Sequence, residues 1–159
     1  MVQLSKDLTW LLVKDNNCFL QKRNGKTPRS GFITMSAEPL NLTNKNSFKA
    51  SGLANTRAVG IEEGKDFKGN SVAFLQLKAS CIFGGGASKP KLAVGATLLK
   101  KCWRSGANTV TKQVEGTYYR PDLTGAALTR WSKIHRSIRT AGGHKKPMIV
   151  KAGRSSKSA

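Results

Sequence analysis

Acidic side chains are scarce in this chain, and beyond Asp122 there are none: residues 123–159 hold nine Lys or Arg and no Asp or Glu. Across the whole chain 28 basic residues face 8 acidic ones, a formal net charge of +20. So few acids leave little for general acid–base chemistry. Glu62 and Glu63 are neighbours, and on a strand they point to opposite faces, unlike a paired-carboxylate site. Histidine occurs only at positions 135 and 144, and no Ser or Cys sits in a nucleophile elbow. The three cysteines, Cys18, Cys81 and Cys102, are odd in number, far apart and form no Cys-x-x-Cys pair. That excludes a disulfide framework or zinc ribbon and fits reduced thiols in a cytosolic or nuclear compartment. Gly84-Gly85-Gly86-Ala87-Ser88-Lys89 lacks the spacing of a phosphate-binding loop and reads as a flexible loop. Long apolar runs are also missing. Lys6, Asp7, Lys14 and Asp15 interrupt the N-terminal region, so neither a secretory signal nor a membrane span is expected. Without such a signal, the glycosylation triplet Asn41-Leu42-Thr43 carries no weight.

What is present is charge, and a lot of it. A balance of +20 costs folding energy through self-repulsion unless a dense polyanion is normally at hand. RNA or DNA is the usual partner, because basic side chains displace the counterions condensed on phosphates. An anionic membrane or a merely soluble surface are the other readings. With 159 residues and 38% hydrophobic content, the chain suits one small folded body with basic extensions.

Residues 8–13 (LTWLLV) form a short apolar run, and residues 18–22 (CFLQK) alternate apolar with polar. With Asp15-Asn16-Asn17 between them, the pair reads as a β-hairpin. A loop with Pro28, Gly31 and Pro39 follows. Strands are expected at residues 58–62, 71–79 and 91–99, the first two joined by a turn over residues 63–70. From residue 107 the period becomes helical. A short helix is expected from Asn108, as cap, to Gly116. A long one opens on Pro121 and Asp122. Its stripe is Leu123, Ala127, Trp131, Ile134 and Ile138, and Gly142-Gly143 ends it. The fold class is α+β: a small, mostly antiparallel sheet packed by one short and one long C-terminal helix. The body spans residues 1–143, and the basic extension 144–159 becomes ordered on RNA.

Arg130, Lys133, Arg136 and Arg139 step along the other side of the long helix, with His135 among them. Lys22, Arg23, Lys26 and Arg29 share one loop. Cations spread through loops and tail suit shape and backbone contacts on folded RNA better than groove reading of DNA. Trp10, Phe19, Phe74 and Trp131 read as core residues. Of Tyr118 and Tyr119, one packs on the helix start and the other is free to stack on a base or bond a phosphate. Phe48 reads equally as anchor or stacker.

Several blocks carry a family resemblance. They begin with Leu8-Thr9-Trp10 and Cys18-Phe19-Leu20-Gln21-Lys22-Arg23-Asn24. Next come Ser36-Ala37-Glu38-Pro39 with Asn41-Leu42, Asn46-Ser47-Phe48-Lys49, Gly52-Leu53 and Val59-Gly60-Ile61-Glu62. The strongest is Tyr119-Arg120-Pro121-Asp122-Leu123, followed by Ala126-Ala127, Arg130, Ser132, Ile134, Arg136 and Ser137. Lys146-Pro147-Met148-Ile149-Val150-Lys151 is similar too. In order and spacing the blocks resemble the eukaryotic large-subunit ribosomal protein L twenty-eight family, with departures at residues 25–33 and 81–106. The resemblance implies a structural constituent of the large subunit of the cytosolic ribosome. Such a protein binds large-subunit ribosomal RNA beside other ribosomal proteins and passes through the nucleolus during assembly. It implies no enzyme, cofactor, metal, membrane or small-molecule substrate. The expected RNA-binding set comprises the basic residues named above with Lys45, Lys49, Arg57, Tyr119, Arg120, Lys145, Lys146, Lys151 and Arg154. A nucleolar assembly factor or a free-standing basic RNA- or DNA-binding module is the rival reading. The first of these usually adds a long acidic tail.

Overall fold

The computed structural model describes residues 4–24, 32–78, 93–99 and 102–143. The apolar run at the start of the chain is a helix, α1 (Lys6–Val13), and not the first strand of a hairpin. Ser5 caps it, its Oγ accepting from the Leu8 N–H at 3.3 Å, and Asp7 lies in the first turn where the helix dipole favours an acid. The Asp15-Asn16-Asn17 segment ends the helix instead of turning a hairpin. Asn17 donates to the Val13 carbonyl at 3.1 Å and accepts from the Phe19 N–H at 2.9 Å. Trp10 faces inward against Phe48, their ring centroids 6.0 Å apart.

Strand β1 (Leu20–Asn24) therefore pairs with a later segment, β2 (Phe32–Ser36), in antiparallel register from Leu20 opposite Ser36 to Asn24 opposite Phe32. Residues 37–58 form a long connection with a polar interior. Glu38, Asn41, Ser51 and Asn55 are buried there. Glu38 accepts from Asn41 at 3.2 Å and from Ser51 at 3.2 Å. Asn41 Oδ1 in turn accepts the N–H groups of Thr43 and Asn44. Buried polar groups satisfied in this way fix a loop as firmly as an apolar core would.

The main sheet follows the expected strands: β3 (Val59–Lys65), β4 (Ser71–Lys78) and β5 (Val94–Leu99), antiparallel in the order β3-β4-β5. Ile61 lies opposite Leu75, and Ala73 opposite Leu99, so one face is continuous hydrocarbon. Helix α2 (Trp103–Thr111) runs into a π-helical turn over Lys112–Gly116. It starts five residues before the expected Asn108 cap, and Asn108 lies inside it. The reason is tertiary. Trp103 is tied to the last helix, its carbonyl accepting from Trp131 Nε1 at 3.1 Å and its own Nε1 donating to Ser132 Oγ at 3.2 Å. Gly106 permits the approach, since a Cβ there would lie 2.4 Å from the Trp131 ring.

A 3-10 turn, Pro121–Leu123, leads into α3 (Thr124–Ala141), which Gly142 ends. Its stripe docks as expected. Leu123, Ala127 and Trp131 are buried with Val59, Ile61, Leu75, Leu99, Val110 and Val114, and Ile134 and Ile138 pack at the margin. The result is an α+β body.

Candidate nucleic-acid interface

Docking α3 by that stripe decides where its cations go. Lys133, Arg136 and Arg139 are exposed, and none of them is ion-paired among the described residues. Arg130 differs from the outward row expected for it. It is half-buried and, with Lys133, lines a groove whose far wall is Leu42, Thr43 and Asn44. Arg139 lines a separate cleft on the other flank, against the β3–β4 turn at Gly69, Asn70 and Ser71. His135 lies beside the end of the row nearest Arg139 and packs on the core. Its ring lies 5.1 Å from that of Trp131, in the same cleft as Arg139.

The segment before α3 is a clamp. Arg120 Nε and Nη2 bond the two carboxylate oxygens of Asp122 at 2.8 Å each. Nη1 donates to the Arg57 carbonyl at 2.9 Å, and Nη2 to the Lys49 carbonyl at 3.0 Å. One guanidinium thus holds the helix start to the polar loop, with every bond internal. The Arg120 hydrogen bonds, with its charge and that of Lys49, keep the Asp122 carboxyl below the usual carboxylate range against a smaller effect of burial. Tyr119, the tyrosine counted in the expected RNA-binding set, has its side chain engaged within the protein instead. Its hydroxyl donates to the Lys78 carbonyl and accepts from the Ala58 N–H at 3.2 Å. The Arg57 guanidinium lies 5.8 Å from its ring centroid. Burial raises the Tyr119 pKa, partly offset by the Ala58 hydrogen bond and by Arg57 and Arg120. Tyr119 is the packing tyrosine. Tyr118, 82% exposed with φ of 51°, is the one that faces out.

Of the remaining expected contacts, Lys45, Lys49 and Arg57 are exposed around the polar loop, and Lys49 approaches Asp122 at 3.9 Å. Lys22 is exposed on β1, with Nζ 3.4 Å from the Asp15 carbonyl. Arg23 is placed on β1 opposite Ile33. Lys26, Arg29, Lys145, Lys146, Lys151 and Arg154 lie outside the described residues. Sequence reasoning passed over Tyr118 as the exposed tyrosine and over Thr43 and Asn44 as the wall of the Arg130 groove. It also missed Lys78, whose ammonium bonds the carbonyls of Gly52 at 2.8 Å and Asn55 at 2.9 Å and so braces the loop.

The exposed surface of α3 therefore carries a row of cations, unpaired among the described residues, on a docked helix. Its chemistry suits phosphate contacts made through charge and not base edges. Among the described residues no helix is long and apolar enough to cross a membrane.

Comparison with known proteins agrees with the resemblance drawn from the sequence blocks. The model of the Ribosomal L28e protein family matches residues 8–137. A large ribosomal subunit protein eL28 of Dictyostelium discoideum is 31% identical over 138 residues, covering 87% of this chain and 92% of that protein. Its namesake in Schizosaccharomyces pombe is 30% identical over 138 residues, 87% of this chain and 96% of the other. Another in Trypanosoma cruzi is 30% identical over 137 residues, 84% of this chain and 78% of its own length. The matched span runs from α1 through most of α3 and so includes the clamp, the polar loop, Arg130 and the first two cations of the exposed row, which places this chain in the ribosomal L28e protein family.

Proposed function

We propose that this protein is a structural, non-catalytic constituent of the large subunit of the cytosolic ribosome, where it binds and stabilises folded ribosomal RNA. The observation that carries the RNA contact is the exposed row Lys133, Arg136 and Arg139 on a docked helix, unpaired among the described residues. Family membership and the printed names of the relatives support the large-subunit assignment. In this reading the exposed Lys22, Lys45, Lys49 and Arg57 are further phosphate contacts, and Tyr118 offers a face for base stacking. Arg120 and Tyr119 serve the contact indirectly, by holding α3 against the loop that carries Lys49 and Arg57. The body ends near Gly143, and residues 144–159 follow the RNA as a basic extension ordered by it. Neighbouring large-subunit proteins are its protein partners, and it passes through the nucleolus during assembly.

Co-sedimentation tests the reading. A tagged chain should travel with large subunits and translating polysomes in a sucrose gradient, and remain there through a moderate salt wash. Recovery only with precursor particles, or only in the unbound fraction, would contradict it.

A further inference from the structure

We propose that the groove between residues 42–44 and the first half of α3 seats one phosphodiester group of an RNA backbone, with Arg130 at its floor and Lys133 at its rim. This rests on the RNA-binding reading and gives one phosphate a definite place in it. The groove is walled by Leu42, Thr43 and Asn44 on one side and by Gly125, Ala126 and Thr129 on the other. Among the described residues its charged members are both cations, and no acid lines it. Arg130 Nε is fully buried and has no hydrogen-bond partner among the described residues. A guanidinium N–H removed from water requires an acceptor. The edge formed by Nε and one Nη matches two oxygens of a phosphate, a geometry that an ammonium does not reproduce.

The other polar groups point the same way. The Thr129 hydroxyl donates to the Gly125 carbonyl at 2.9 Å, and the Thr43 hydroxyl to Asn41 Oδ1 at 3.3 Å. Both hydroxyl protons are engaged within the protein, so of the hydroxyl and charged groups lining the groove only Arg130 and Lys133 are left to recognise an anion. The loop wall is already set. Asn41 fixes residues 43–45 through its side chain, and Asn44 holds φ of 55°. The loop wall is therefore preorganised, which lowers the cost of binding, and only the Arg130 side chain has to turn to bring its shielded Nε to a phosphate.

Gly125 supplies a test that spares the fold. It lies in α3, and a Cβ built there meets nothing within 4 Å. Both Gly125→Ala and Gly125→Glu replace a helical glycine with a better helix former. Only the second puts a carboxylate at the groove. Full-length parent, Gly125→Ala, Gly125→Glu and Arg130→Lys would be compared in binding to transcribed large-subunit ribosomal RNA, with phosphorothioate interference mapped along the transcript. Gly125→Ala reports what an uncharged Cβ on this wall does, and the effect of Gly125→Glu is read relative to it. Gly125→Glu and Arg130→Lys should bind about tenfold more weakly, the scale of one charge-assisted contact. Both should lose interference at the same single phosphate and keep the rest of the pattern. Parent-like binding by Gly125→Glu, or a uniform loss at all phosphates, would overturn the proposal. So would protection of Arg130 by millimolar inorganic phosphate without protection by the RNA, which would make the groove a free-anion site. A parent chain showing no interference anywhere would overturn the RNA-binding reading as well.

Discussion

Trp131 is where the two C-terminal helices and the main sheet meet. It is 2% exposed, its Nε1 donates to the Trp103 carbonyl, and Gly106 lies against its ring. Removing it leaves a cavity, an orphaned carbonyl and a loosened α2 at once. Trp131→Ala should lower unfolding stability by ~3 to 5 kcal/mol, with RNA affinity of the folded fraction little changed. Denaturant titration beside RNA binding checks this, and intact stability with lost affinity would place the residue in the interface instead. Asp122 gives a pH dependence. Its folded pKa is depressed, first by the Arg120 hydrogen bonds, so its stabilising effect is present above the unfolded value. That effect is lost as pH falls through and below the ordinary carboxylate range, about 4. Asp122→Asn should lower the melting temperature at neutral pH and flatten its decline in acid. The carboxylate is 38% exposed, so solvent screening keeps the effect modest. A parallel fall of parent and variant on acidification would sink the assignment. The tyrosine pair shows what a sequence conveys at this scale. Adjacency told that one packs and one does not. Which one depended on carbonyl and N–H groups of Lys78 and Ala58, distant in sequence and visible only once folded.

Among the elements, the extent and docking stripe of α3 were legible because what defines them is local, while the burial of Arg130 depends on the loop packed beside it. Pro121 and Asp122 open the helix, a continuous stripe faces the core, and Gly142 closes it. Strands β3 and β4 were legible for the same reason. Helix α1 was misread because a six-residue run with five apolar members and no sustained alternation fits a buried strand as well as a helix. Ser5 and Asp7 held the deciding information, as the cap and first turn. The misreading carried a second error with it: assigned to a false hairpin, β1 left β2 unnoticed. Where α2 begins was not locally encoded at all, since it depends on Trp103 docking to α3. The same logic separates the helix from its charges. Because α3 is held by its stripe, Lys133→Glu with Arg136→Glu should leave the circular dichroism and melting of the body near the parent's. Incorporation into large subunits should fall, since each reversal replaces attraction to phosphate with repulsion. Full occupancy of the doubly reversed chain would mean that this face is only solvated.

At the level of the whole molecule, an excess of positive charge is spread over a small folded body and is barely offset from within. Among the described residues the ion pairs involve Lys14 with Asp15, Lys49 with Asp122, and Arg120 with Asp122. Pairs of this kind cancel little of a formal charge of +20, and exposed ones contribute little stability. The free chain must therefore carry a repulsive energy that a bound polyanion would relieve, and under the proposed RNA contact, binding should depend strongly on salt. If about six phosphates are neutralised, log affinity should fall with log salt at a slope near −4 to −5, at ~0.7 to 0.9 for each. Deleting residues 145–159 should shallow that slope, by removing cations from the contact, while leaving the dichroism of the body nearly intact. Gly125→Glu belongs to a different class. It should weaken binding by a similar amount at every salt concentration if the Arg130 phosphate is seated out of water, because screening acts on exposed charges far more than on buried ones. Anisotropy titrations of the three chains across a salt series distinguish the two behaviours. A slope near zero for the parent would remove charge as the basis of binding. An unchanged slope in the deletion would confine the contact to the body.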